Sequence, residues 1–162
     1  MVSSLYASPL SLVIGAITTV VAASVSAWVS QSSVMWVAAA VLAFIGTVRI
    51  VAALALSSNA EGNSTAMLEL AYEVGAFSFA LALGTTAAYT IFIGGPTQIE
   101  VLMVANALGY GIGVSARNAG RPTIAIGQLA FSCLPIAVAS FLTMKIGFVA
   151  LGITILLLIP AQ

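Results

Sequence analysis

Residues 10–56 read LSLVIGAITTVVAASVSAWV-SQSS-VMWVAAAVLAFIGTVRIVAALAL, with hyphens setting apart the polar turn at Ser30, Gln31, Ser32 and Ser33. Each apolar run can cross the hydrocarbon core of a bilayer, which takes about 20 residues at a rise of about 1.5 Å each. A turn this short makes the two runs antiparallel neighbours, so the stretch reads as a transmembrane helical hairpin. Strands are a poor alternative, because a transmembrane barrel strand alternates polar and apolar residues, and these runs are continuous. The start of the chain, MVSSLYASPLSLVIGA, lacks the positive region of a secretory signal. The first run is therefore expected to be retained.

Composition extends this reading to the whole chain. Of 162 residues, 62% are hydrophobic and 5% are charged. Globular proteins are about 25% charged, and a soluble domain this poor in charge could not cover its surface. Mean hydropathy is +1.21. The class is an all-α, polytopic integral membrane helix bundle, and soluble enzymes and nucleic-acid binders are excluded. Six expected spans follow, at about 10–29, 34–56, 66–93, 99–116, 123–142 and 146–159, in one membrane domain covering 1–162. The longest polar segment is SSNAEGNST, residues 57–65. GGPT at 94–97 and RNAGRP at 117–122 break the chain further on.

The chain has no histidine. That excludes His-ligated metals and haem and His-based acid–base catalysis. Aspartate is also absent, and Cys133 is the single cysteine. No cofactor, metal or catalytic constellation is implied. Net charge is zero, and no basic segment offers a hold on nucleic acid.

Positive residues favour the cytoplasmic side. With six spans and the N-terminus inside, Arg49, Arg117 and Arg121 fall inside and Lys145 outside. Both termini are then cytoplasmic. Trp28 and Trp36 flank the first turn as interfacial anchors.

Three groups of residues stand out. Glu69 and Glu73 lie four apart, on one face of the third span, and Arg49 is expected at similar depth on the second. Together they suggest either a ligand or proton site or an Arg–Glu clamp between two helices. The expected pairing is Arg49 with Glu73 or Glu69. Gly109 and Gly113 form a GxxxG pair, which suits a dimer seam, a small-ligand crevice or packing inside the bundle. Arg117, Asn118 and Arg121 mark a turn that could bind phosphate or a cytoplasmic domain, or could simply anchor the chain. There Gly120 is expected to take a left-handed backbone, and Pro122 the first turn of the next helix. Pro135 should leave a carbonyl near Phe131 unpaired in the fifth span.

Two stretches, SLYASPLSLVIGA (Ser4–Ala16) and GYGIGVSARNAGRPTIAIGQLAFSCLPIAVA (Gly109–Ala139), resemble the membrane-embedded region ahead of GGDEF domains in proteobacterial diguanylate cyclases. The Leu70–Glu73 stretch and the run of six spans also fit that pattern. GGDEF itself is absent, as is EAL, so no cyclase residue carries over. The resemblance implies a sensory, anchoring and dimerisation module for cyclic-di-GMP signalling, without enzyme activity of its own. It also implies a bacterial inner membrane, a homodimer and a GGDEF domain on the cytoplasmic side.

Two alternatives are a small transporter or channel subunit using Glu69 and Glu73, and a structural subunit of a larger complex. A transporter needs polar groups through both halves of the membrane. The sequence suggests that they cluster in the cytoplasmic half, which counts against transport.

Overall fold

A computed structural model describes residues 9–58, 65–118 and 120–158. All the regular elements in it are α-helices: α1 (Pro9–Ser30), α2 (Ser33–Ser58), α3 (Thr65–Ile93), α4 (Thr97–Arg117), α5 (Pro122–Leu142) and α6 (Ile146–Leu158). Their ends fall within two residues of the six expected stretches. Four helices contain segments long and apolar enough to cross a membrane: Leu12–Ser30, Ser33–Leu54, Glu73–Ile93 and Pro122–Leu142. The apolar segment of α6, Ile146–Leu157, is shorter.

The bundle is organised around α3, α4 and α5, which pack on one another. On one side α1 and α2 form a hairpin, with α2 against α3 and α1 against α4. On the other side α6 packs on α5. Alternating helix direction places the C-terminal ends of α2 and α4 and the N-terminal ends of α3 and α5 at one end, called here the arginine end. The turns α1–α2, α3–α4 and α5–α6 share the opposite end.

The burial pattern is that of a bundle in lipid. Ala23, Ala27, Ala76, Ala80, Ala87 and Ala107 have no exposed surface. Large apolar side chains point outward on every helix, including Ile17, Phe44, Val74, Val101, Val138 and Leu157. In water that arrangement would forfeit the hydrophobic effect. In lipid, the gain from helix association comes from close backbone approach, which small residues permit.

The tightest approaches involve glycines that the sequence does not distinguish. A Cβ on Gly84 of α3 would lie 2.5 Å from the carbonyl oxygen of Ser132 and 2.7 Å from that of Phe131, both on α5. The Phe131 carbonyl is the one that Pro135 leaves without its helical N–H. Gly84 thus seats α3 on the carbonyls beside the proline. Gly111 gives α4 a similarly close approach to α5, where a Cβ would be 2.6 Å from the side-chain Oγ of Ser132.

The turns differ from expectation in one place. Gly94 has φ +65° after α3, as a helix C-terminal glycine should. Gly120, by contrast, has no positive φ. Asn118 ends α4 with φ −97°, and its N–H donates to Val114 O. The Arg121 N–H then donates to Asn118 O at 2.7 Å, which closes the turn. Pro122 opens α5 as expected. Left-handed backbone occurs instead at Gln31 (φ 51°) and Met144 (φ 55°). The Gln31 side chain donates to Trp28 O at 2.6 Å, satisfying a carbonyl at the end of α1.

Candidate functional site

Arg49 lies in α2, and Gly75 lets it cross α3. A Cβ on Gly75 would be 3.1 Å from Arg49 Cγ, so the arginine stem occupies the space a side chain would fill. The guanidinium then stacks over the Phe79 ring at 5.2 Å from its centroid. Its Nη1–H donates to Tyr110 Oη on α4 at 3.0 Å. Phe79 and Tyr110 are themselves in ring contact, with centroids 5.2 Å apart. Nη2 is buried and has no hydrogen-bond partner.

This differs from the expected clamp. Among the described residues Arg49 makes no ion pair with Glu73, which is half-buried on α3. The physical reason is the gap at Gly75, which directs the stem across α3 towards the ring pair. The Glu69 and Arg117 side chains lie outside the described residues.

A cavity of about 660 Å³ opens between α1, α2 and α4. Arg49, Tyr110, Asn106, Thr18 and Thr19 give it polar groups, Gly109 and Gly113 form part of one wall, and among the described residues no carboxylate lines it. Asn106 Nδ2 donates to Thr19 Oγ1 at 3.3 Å, joining α4 to α1 beside it. A Cβ on Gly109 or Gly113 would meet nothing within 4 Å. Among the described residues the pair is therefore no packing seam; both glycines are exposed on the cavity wall. The sequence singled out Arg49 and these glycines separately, and the fold places them on one cavity. Tyr110, Phe79 and Gly75 were missed. Only the alternation of Gly and Tyr at 109–111 hinted at Tyr110.

At the arginine end, Asn118 is buried, and its Nδ2 donates to Gln128 Oε1 at 2.9 Å. The turn is thereby anchored into α5 rather than presented as a free polar loop. Gln128 Nε2 is buried and unpartnered. Asn118→Ala would leave the whole Gln128 amide unsatisfied, so an expected loss of about 1–3 kcal/mol follows. Thermal unfolding in detergent checks this, with Asn118→Ala/Gln128→Leu expected to recover part of the loss.

No sequence family, characterised protein or solved structure matches the chain. Its functional reading therefore comes from its own residues and from the motifs in Gly109–Ala139.

One buried group was missed outright. Glu100, in the first turn of α4, is 5% exposed, and its Oε1 has no hydrogen-bond partner. It lies towards the end opposite the arginines. The expectation that the polar groups cluster in the half carrying the arginines does not hold for this carboxyl. The α4 N-terminus favours a negative charge there. Among the described residues no group of three or more His, Cys, Asp or Glu side chains could hold a metal ion.

Proposed function

We propose that this chain is a membrane-embedded sensory and anchoring module whose output is set by how two copies associate. The observation that carries the reading is the Gly109–Gly113 face, exposed and unpacked among the described residues. Such a face lets a second helix backbone approach closely. The resemblance to GGDEF-associated membrane regions supplies the output: a cytoplasmic cyclase domain that needs two copies to join two nucleotides. In this reading all six helices cross a bacterial inner membrane, with both termini in the cytoplasm.

The test is a fusion of the chain to a GGDEF cyclase domain. Gly113→Leu should change cyclic-di-GMP output severalfold, whereas Val101→Ala, on an exposed apolar position of the same helix, should not. Unchanged output with Gly113→Leu would count against the reading. Topology is checked separately: reporters fused after Gln162 and inserted at Gly95 should report opposite sides, cytoplasm and periplasm. Reporters on the same side would contradict the six-span arrangement.

A transporter reading has one observation in its favour, because the buried Glu100 puts a carboxyl in the half opposite Arg49. It requires proton or cation uptake by liposomes carrying the protein, lost in Glu100→Gln or Glu73→Gln.

A further inference from the structure

The cavity between α1, α2 and α4 holds an unbalanced charge. Its polar groups are one guanidinium, a phenol, an amide and two threonine hydroxyls, and among the described residues no acidic side chain lines it. Thr18 is occupied with the Ile14 and Gly15 carbonyls of its own helix. Asn106 is occupied with Thr19. Arg49 differs, because Nη1 is held by Tyr110 while Nη2 is buried with no acceptor. The Tyr110 hydroxyl accepts from Arg49, so its own proton is left to donate. Both residues line a mostly apolar cavity, with the unpartnered Nη2–H buried behind it and the Tyr110 O–H beside the guanidinium. An uncompensated cation at membrane depth is costly, and an anion is what relieves that cost.

We propose that this cavity binds a carboxylate carried on an apolar tail, a ligand of the medium-chain fatty-acid class, with Arg49 and Tyr110 holding the carboxylate. Two donors suit the two oxygens of a carboxylate, and charge-assisted hydrogen bonds are the strong ones. The apolar residues Leu12, Ile14, Ile50 and Ala105 receive the tail. The volume of about 660 Å³ lies within the usual range for small-molecule sites, about 300–1,000 Å³. Gly109 and Gly113 keep that wall bare, since any side chain there would grow into the cavity. This proposal deepens the sensory reading by giving the signal a chemistry and a place. A tail lying along the Gly109–Gly113 wall would also alter the surface that a second copy meets.

The experiment is equilibrium binding of radiolabelled dodecanoate to the purified chain in phosphatidylcholine nanodiscs, with empty nanodiscs subtracted. Saturable binding is expected. Arg49→Gln should weaken it about tenfold to a hundredfold, the usual range for a lost hydrogen bond to a charged group. Arg49→Lys, which keeps the charge, should recover part of that loss. Gly109→Leu should weaken binding by filling the cavity while leaving the helices in place. Equal competition by dodecanol, or unchanged binding by Arg49→Gln, would overturn the proposal. A second arm adds phosphatidylglycerol to the nanodiscs. Displacement of dodecanoate by that lipid at low mole fraction would make a resident headgroup the anion and overturn the carboxylate assignment. Binding is read on the purified chain whatever its association state, so failure of the site and failure of the dimer reading are separate results.

Discussion

Gly84→Leu should prevent the bundle from closing, with a loss of about 3 kcal/mol or more, at the upper end of overpacking costs. The obstacle is backbone: the carbonyl oxygens of Ser132 and Phe131 would lie 2.5 Å and 2.7 Å from the new Cβ. A flexible side chain could swing away, but these carbonyls belong to α5 and move only with it. Helix α5 also carries the contacts to α4 and α6, so separating it from α3 disturbs the centre of the bundle. Gly84→Ala should already be costly, by about 1–3 kcal/mol. Gly109→Ala, where a Cβ meets nothing within 4 Å, should stay within about 0.5 kcal/mol of the parent. Unfolding by a denaturing detergent, followed by circular dichroism, ranks the three. Equal behaviour of Gly84→Ala and Gly109→Ala would contradict the packing described.

The second large effect concerns Arg49 and separates its stability role from its binding role. Tyr110→Phe removes the acceptor of Nη1 and leaves the guanidinium without its one hydrogen bond among the described residues. A loss of about 1–3 kcal/mol is expected. Arg49→Met removes the charge, keeps the stem beside Gly75, and should be neutral or stabilising by about 1 kcal/mol, as replacement of buried charge by apolar groups often is. The double variant should then be more stable than the two single effects added together, because the partners share one interaction. Arg49→Glu combined with Glu73→Arg, which an ion pair would rescue, should show no rescue. Full rescue would restore the clamp reading and displace the Arg49–Tyr110 geometry.

These two sites also show what the sequence made legible. Six helices could be read because long apolar runs are separated by GGPT, RNAGRP and shorter polar breaks, and such breaks act locally. Pro135 and Pro122 were equally readable, because a missing N–H has a fixed consequence. Which face of each helix turns inward was not. A helix that is apolar all round carries no stripe to mark its buried side. Gly84 and Gly111, at close approach, therefore carry no mark in the sequence, and the spacing that singled out Gly109 and Gly113 does not say that they face a cavity. The Tyr110 partner of Arg49 was missed for a related reason: charge suggested Glu73 or Glu69, while the small size of Gly75 settled the direction of the stem. Glu100 was passed over because a carboxylate at the start of a helix normally faces water, and here the turn itself is packed.

The central claim is that two copies associate through the Gly109–Gly113 face. It is tested most directly by resonance energy transfer between donor- and acceptor-labelled chains reconstituted in liposomes at increasing dilution in lipid. The account predicts saturable transfer for the parent chain, persisting at dilutions where random encounter gives none, and loss of that transfer in Gly113→Leu but not in Val101→Ala. Transfer that falls to the random-encounter level in the parent chain, or is unchanged by Gly113→Leu, would contradict it.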